Sequence, residues 1–168
     1  MTRIDLLHMQ VSMSQSNLDK PARAGRVAWS CTCFSTRRAA RAVTEYYDRA
    51  LKPSGVTASQ VSMLGGIAMT GPAPIQKLSE VLDLDHTTLT RNLKLLAAAG
   101  WITAKPGSDR RERVIGLTPS GEAVLARAMP YWQAAQRRVQ DRFGSERWRR
   151  LLDDLSELAD LPEDESGS

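Results

Sequence analysis

The stretch Pro74–Thr118, PIQKLSEVLDLDHTTLTRNLKLLAAAGWITAKPGSDRRERVIGLT, decides the fold. Apolar residues recur every three or four positions over 75–82 and again over 86–99, which predicts a short helix, a turn and a longer helix. The β-rich segments 101–105 and 113–117 flank a polar, turn-forming tip, which predicts a hairpin. These elements in this order are typical of a helix-turn-helix followed by a hairpin wing.

The longer of these helices has two chemically different faces. At about 100° per residue, Leu89, Leu93 and Leu96 fall on one side. The other side is small, hydrogen-bonding and basic, with Thr87, Arg91, Lys94 and Ala98, and it is flanked by Thr88 and Thr90. A DNA major groove needs such a face, because Arg donates to guanine and Thr offers a hydroxyl or a methyl group. The alternative for this segment alone is an amphipathic helix with a solvated polar face.

The hairpin tip strengthens the interpretation as a double-stranded DNA-binding protein. Asp109 and Glu112 stand there among a larger number of basic residues, Lys105, Arg110, Arg111 and Arg113. A guanidinium on a projecting hairpin suits the narrow minor groove, where the negative potential is concentrated. We therefore expect DNA contacts from both the helix and the tip.

Further helices are predicted on both sides of this region. Apolar spacing indicates a helix over 33–51, and Thr57 with Gln60 fits a capping box at the start of another helix. Thr118, followed by proline, marks the start of a long helix, and a last helix is expected over 146–159. The expected fold class is mainly α with a small β-hairpin wing.

Charge and composition narrow the class of protein. The chain has 168 residues and a net charge of +4, but the seven acidic residues after Arg150 leave 12 acidic and 23 basic residues in 1–150. A strongly basic region suits a polyanionic partner. No apolar run approaches the ~18 residues of a membrane span. The start of the chain lacks the pattern of a secretion signal, so we expect a cytoplasmic protein with no membrane contact.

Catalytic and metal-binding motifs are absent from the sequence. The two histidines are His8 and His86, and there is no Gly-rich phosphate loop, nucleophile elbow or HExxH motif. Cys31 and Cys33 supply half of a zinc site at most. We expect no enzyme, no catalytic residues, no cofactor and no metal.

Four short segments carry a resemblance to a known family: LTRNL at 89–93, GWI at 100–102, DRR at 109–111 and LTPSG at 117–121. With them the chain resembles the MarR family of winged helix-turn-helix regulators over about residues 30–160. The resemblance implies that Arg111 enters the minor groove while Asp109 braces the wing. It also implies a homodimer formed by the first and the last two helices. Family members usually repress transcription until a ligand or an oxidant releases them.

A twofold dimer would recognise a pseudo-palindromic operator with half-sites ~10 bp apart. The expected division of the chain is a flexible arm at 1–28, a first dimerisation helix at 29–56, a winged helix-turn-helix lobe at 57–118, C-terminal dimerisation helices at 119–160 and an acidic disordered tail at 161–168. The alternative function is a helical protein–protein adaptor that keeps the winged fold without binding DNA. The Arg-rich tip argues against that adaptor.

One candidate input signal is oxidation of a thiol. Peroxide-sensing members of the family carry a reactive cysteine followed by Phe at the start of the first helix, and Cys33-Phe34 is similar. Arg37, one turn on, would stabilise a thiolate. Side chains two positions apart on a helix point about 200° apart, so Cys31 reaches an oxidised Cys33 only where the segment is not helical. The alternative is that neither cysteine has a redox role.

The competing input is a small aromatic or lipophilic effector, bound between the dimer helices and the DNA-binding lobe. The candidate lining residues are Tyr46, Tyr47, Met63 and Trp132. Plain core packing of the same four side chains is the alternative.

Overall fold

The computed structural model describes residues 25, 29, 31–107 and 112–161. Most of the predicted arm, the hairpin tip at 108–111 and the tail from 162 lie outside the described residues. The chain divides into two compact units, one up to Tyr46 and one from Tyr47. The boundary falls inside the first helix rather than at an end of the predicted segment 29–56.

The first two helices begin and end with recognisable local signals. Helix α1, Thr32–Leu51, starts one residue before the predicted position and passes into a 3-10 turn, Lys52–Ser54. Helix α2, Ala58–Thr70, has the predicted capping box: the Gln60 N–H donates to the Thr57 hydroxyl at 3.3 Å, and the Thr57 N–H donates to the Gln60 side chain at 2.9 Å. The capping prediction is confirmed.

The rest of the chain confirms the predicted fold class, mainly α with a small sheet. Helix α5 continues through Pro130. The elements after α2 are β1 (Ala73–Pro74), α3 (Ile75–Leu82), α4 (His86–Ala98), β2 (Ile102–Pro106), β3 (Arg113–Leu117), α5 (Pro119–Phe143) and α6 (Ser145–Ala159).

The sheet has three antiparallel strands in the order β1-β3-β2, one more strand than the predicted hairpin. In the hairpin Ile102 lies opposite Leu117 and Pro106 opposite Arg113. On the other side of β3, Ala73 pairs with Ile115. Strand β1 is two residues long and ends in a proline, so it shows none of the alternation that predicts a strand; proline is accepted there because β1 is an edge.

The core of the second unit forms around α2, whose Leu64 and Ile67 are buried. Gly66 permits close packing of α2 on α3, because a Cβ at this position would lie 2.3 Å from Leu82 Cδ2. The neighbouring Gly65 has nothing within 4 Å of such an atom. Of this glycine pair, only Gly66 is therefore required for the close packing. The other buried apolar residues include Leu51, Val61, Leu78, Leu89, Leu93, Leu96, Ile102, Ile115, Val124 and Ala128.

The junction of α4, the hairpin and α5 is held by Thr118. Its hydroxyl donates to the Gly100 carbonyl at 2.8 Å and accepts from the Gly121 N–H at 3.0 Å, which caps α5. Its own N–H donates to the Trp101 carbonyl at 3.0 Å. A Cβ on Gly121 would lie 2.0 Å from that same carbonyl oxygen. The motif Leu117–Gly121 thus sets how the base of the wing meets α5.

We predict that Gly121→Ala destabilises the protein by about 1–3 kcal/mol, because the added methyl group must displace backbone rather than a flexible side chain. Gly116→Ala is the matched control, since the nearest atoms to its Cβ would be at 3.6 Å, an ordinary contact. Urea unfolding of both variants measures the difference. Equal stability of the two variants would contradict the proposed close contact at Gly121.

Candidate nucleic-acid interface

Helix α4 has the two faces that the sequence predicted. Leu89, Leu93 and Leu96 are buried, with exposed fractions of 0%, 5% and 1%. Thr87, Arg91 and Lys94 are exposed. Within the described part of the chain, Arg91 and Lys94 have no acidic side chain at ion-pair distance. The leucines fix the rotation of α4 about its axis and leave two cations facing solvent.

The turn before α4 fixes where the helix begins. Asp83 adopts a left-handed conformation with φ 48° at the end of α3, and the Ser79 hydroxyl donates to the Leu84 carbonyl. Asp85 caps α4, because its carboxylate accepts from the Thr88 N–H at 2.9 Å. Side-chain and backbone hydrogen bonds from Thr88 hold the pKa of the Asp85 carboxyl below its usual value, with smaller contributions from Thr87 and Arg91.

Two of the predicted contact residues on α4 are less accessible than the helical projection indicates. Thr88 is half-buried, with its N–H engaged by Asp85. The hydroxyl of Thr90 is buried and has no hydrogen-bond partner among the residues described. The helical projection places Thr90 beside the polar face, and the tertiary structure buries its hydroxyl oxygen. The DNA contacts of Thr88 and Thr90 stay predictions.

The base of the wing is well defined up to the tip. Gly107 donates its N–H to the Glu112 carbonyl at 3.0 Å, which closes the hairpin below the tip. Lys105 and Arg113 are exposed on the two strands. Three predicted residues, Asp109, Arg110 and Arg111, lie outside the described residues. Their roles in the minor groove and in bracing the wing stay predictions.

Comparison with known proteins places this geometry in a family. A sequence model of the MarR family matches residues 54–112. An HTH-type transcriptional regulator of Bacillus cereus is 30% identical over 121 residues, which are 68% of this chain and 81% of that protein. The structure of the M. tuberculosis transcriptional regulator MosR in complex with DNA is similar with a TM-score of 0.71 and 38% identity, covering 77% of this chain and 93% of MosR.

The chain belongs to the MarR family. That family consists of transcriptional regulators, not enzymes. A further relative, the HTH-type regulator YwoH of Bacillus subtilis, is 31% identical over 85 residues, 51% of this chain. The chain spans 62% of the length of YwoH in that match.

Two of the four candidate effector residues of this MarR-family chain, Tyr47 and Trp132, lie close to each other. The Tyr47 hydroxyl donates to Gln136 Oε1, and its ring lies 6.5 Å from that of Trp132 between centroids. Met63 is buried beside a cavity of about 10 Å³, too small for more than about one water molecule. Tyr46 belongs to the first unit. The effector pocket at these four residues stays a prediction.

A larger cavity of about 400 Å³ lies between α2, the sheet and α5. It is mainly apolar, with one carboxylate, and its lining includes Ile67, Pro72, Leu117, Glu122 and Met129.

The two cysteines occupy different positions at the start of α1. Cys31 precedes the helix: its carbonyl accepts from the Ser35 N–H at 3.1 Å, and its sulfur accepts from the Phe34 N–H at 3.3 Å. Cys33 is already helical, and both thiols are exposed. Thus Cys31 caps the helix, the position that the sequence had suggested for Cys33.

Over the described ranges, no three His, Cys, Asp or Glu side chains are placed to hold a metal ion. The same residues include no helix long and apolar enough to span a bilayer.

We predict that Asp85→Asn changes the dependence of stability on pH. Because the pKa of Asp85 is lowered, its charged carboxylate stabilises the folded protein above the usual aspartate pKa of about 3.9. This stabilisation is lost as the pH falls through the folded-state pKa. Asn keeps a capping oxygen but does not titrate. Urea unfolding between pH 6 and pH 2 should therefore show wild type and variant converging at low pH. A difference in stability that is constant over that range would contradict the capping role of the charge.

Proposed function

We propose that the protein is a sequence-specific, double-stranded DNA-binding transcriptional regulator that acts as a homodimer. The observation that carries this proposal is the orientation of α4, with its leucines buried and Thr87, Arg91 and Lys94 exposed. The exposed basic helix of a helix-turn-helix motif fits into the major groove of DNA. The similarity to MosR in complex with DNA supports the same assignment.

The roles of individual residues follow from their positions along α4. Arg91 lies one turn beyond Thr87, in the N-terminal half of the helix that contacts base edges in helix-turn-helix proteins. Lys94 lies further along, where an ammonium group suits a phosphate. We assign Arg91 to a guanine and Lys94 to the DNA backbone, with Arg110 and Arg111 proposed for the minor groove.

Homodimerisation and repression complete the proposal. None of the described side chains of α6 is buried, and Leu152, Leu155 and Leu158 are 45%, 43% and 38% exposed. Such a surface needs a partner, and a twofold dimer places two copies of α4 in successive major grooves, with half-sites ~10 bp apart. A dimer bound to an operator that overlaps a promoter blocks access by polymerase, so we propose repression.

We predict that Arg91→Ala weakens operator binding by about 1–3 kcal/mol and relaxes the preference at one base pair. Lys94→Ala should weaken binding to all sequences and reduce the salt slope by about 1 unit per subunit. Arg150→Ala, which removes one charge from α6, is the control and should leave binding unchanged. Fluorescence anisotropy with operators selected from a random DNA pool measures these effects.

The wild-type protein should show a slope of log K against log salt of about −5 to −7, if each subunit neutralises three or four phosphates. Undetectable or salt-independent binding would overturn the regulator and favour a protein–protein adaptor.

For the input signal we propose oxidation of the Cys31–Cys33 pair by a peroxide, with Cys31 attacked first. The support is that Cys31 is an exposed thiol whose sulfur accepts an N–H from the first turn of α1. The thiolate is the reactive form of a cysteine, and the exposed position of Cys31 lets a peroxide reach its sulfur. Cys31 precedes α1 and Cys33 lies in its first turn, so a bond between the two sulfurs requires that first turn to open.

The chemistry balances with a hydroperoxide as the oxidant. The Cys31 thiolate attacks the outer oxygen, so that an S–O bond forms, the O–O bond breaks and an alcohol leaves after protonation. The Cys33 thiol then attacks the sulfenic sulfur, an S–S bond forms and water leaves. Disulfide formation takes the Cys31 sulfur away from the Phe34 N–H and opens the first turn of α1. We propose that this change lowers DNA affinity.

We predict that cumene hydroperoxide lowers operator affinity of the wild type and that a reducing agent restores it. Cys33→Ser should accumulate a sulfenic acid at Cys31 that dimedone traps, whereas Cys31→Ser should give little adduct. Peptide mass spectrometry locates the disulfide and the adduct, and a gel shift reports affinity. Adduct formation mainly at Cys33 would contradict the order of attack. Unchanged affinity of the fully oxidised protein would rule out the redox input.

A further inference from the structure

Helix α4 carries one large apolar side chain on its solvent side, and neither the core nor the proposed DNA contacts account for it. Leu95 has an exposed fraction of 59%, whereas Leu89, Leu93 and Leu96 of the same helix are buried. Isolated exposed leucines are common on protein surfaces, so exposure by itself indicates no partner. What distinguishes Leu95 is its position among the basic residues of α4.

Leu95 points in nearly the same direction as Arg91. At about 100° per residue, Leu95 is rotated by about 40° from Arg91 around the helix axis, and Lys94 is rotated by about 60° to the other side. All three side chains are exposed. Leu95 therefore lies closer to the direction of Arg91 than Lys94 does, and a DNA groove that receives the two cations also covers Leu95.

The surroundings of Leu95 support one edge of the side chain and leave the rest open to solvent. Together with Ser59 and Gln60 of α2 and Asn92 of α4, it borders a cavity of about 10 Å³, which places it beside the first turn of α2. The positions that follow, 97–99, are exposed alanines. Leu95 is thus the last bulky side chain on the solvent side of α4.

We propose that Leu95 is a specificity-determining residue that contacts the C5-methyl group of a thymine in the major groove. This inference rests on the DNA binding of the proposed function and adds a base that α4 selects. Among the major-groove edges of the four bases, thymine alone presents a methyl group. Against guanine, adenine or cytosine, a leucine would leave hydrogen-bonding groups without water and without a partner, which is costly.

The geometry of α4 also predicts where this thymine lies. Leu95 is four residues beyond Arg91, which corresponds to about 6 Å along the helix axis. Successive bases of one DNA strand are about 3.4 Å apart along the duplex. When α4 lies along the groove, the thymine is therefore within about two base pairs of the guanine assigned to Arg91.

Two other partners fit the surroundings of Leu95 less well. An apolar patch on another protein would have to bury Arg91 and Lys94 together with Leu95, and burying unpaired cations is costly. A deoxyribose ring of the DNA backbone would give an apolar contact without a preference for any base. Contact with the sugar and contact with the base therefore differ in their response to the thymine methyl group.

The experiment removes the methyl group from the DNA and the leucine from the protein. Operators are selected from a random DNA pool with the wild type, and each thymine of one half-site is replaced in turn by deoxyuridine, which lacks only the C5-methyl group. Arg91→Ala locates the guanine. At one thymine near it, the wild-type dissociation constant should rise about fourfold on replacement, the effect of burying about one methyl group. Fluorescence anisotropy measures these constants.

Leu95→Ala should bind the thymine operator about fourfold or more weakly than the wild type, and it should not distinguish thymine from uracil at this position. Leu95→Met keeps a long apolar side chain and should retain the distinction. The matched control is Leu161→Ala, which shortens a leucine that is 66% exposed outside α4 and should behave like the wild type. Alanine and methionine are favourable in helices, and circular dichroism checks that the variants fold.

The inference is overturned if uracil weakens binding of the wild type and of Leu95→Ala equally at every thymine. Equal weakening of all operators by Leu95→Ala indicates a contact with the DNA backbone, and unchanged binding indicates no DNA contact. Both outcomes overturn the role of Leu95 and, where the wild type binds its operator, leave the proposed regulator intact. A wild type that selects no DNA from the pool removes the proposed function itself, and the inference with it.

Discussion

The side chain of Thr118 makes the contacts on which the geometry of the DNA-binding lobe depends. Its hydroxyl bonds to Gly100 at the end of the turn that follows α4 and to Gly121 in the first turn of α5. Its N–H bonds to Trp101, which opens the wing. One residue therefore connects the groove-binding helix, the hairpin and the long C-terminal helix. A change in the direction of α5 must therefore shift the base of the wing.

This connection gives a physical account of how an interface between subunits can govern DNA binding. If α5 and α6 form the dimer interface, the distance between the two copies of α4 is set by how these helices pack. Gly121 lies against the Trp101 carbonyl with no room for a side chain, so the angle between wing and α5 has little freedom. The dimer geometry is then transmitted to α4 and the wing through rigid contacts rather than through a flexible loop.

The charged residues of α4 and of α6 are arranged differently. The exposed cations of α4 face solvent without acidic partners among the described residues. Helix α6 carries both basic and acidic residues, and these are separated along the helix axis. The first arrangement suits a uniform polyanion, and the second suits a partner of defined orientation.

The sequence by itself determined the helices, their caps and the two faces of α4. Helical periodicity, the capping box at Thr57 and the Asp85 and Thr118 caps all depend on residues within about four positions of one another, so a local pattern contains them. The tertiary structure alone decided that Ala73 and Pro74 form a third strand, because their partners Ile115 and Val114 are 40 or more residues away. It also decided that the Thr90 hydroxyl is covered and that the larger cavity lies beside Glu122 rather than at Trp132. Burial and cavities arise where separate elements pack against one another. The spacing of residues within one element does not specify that packing.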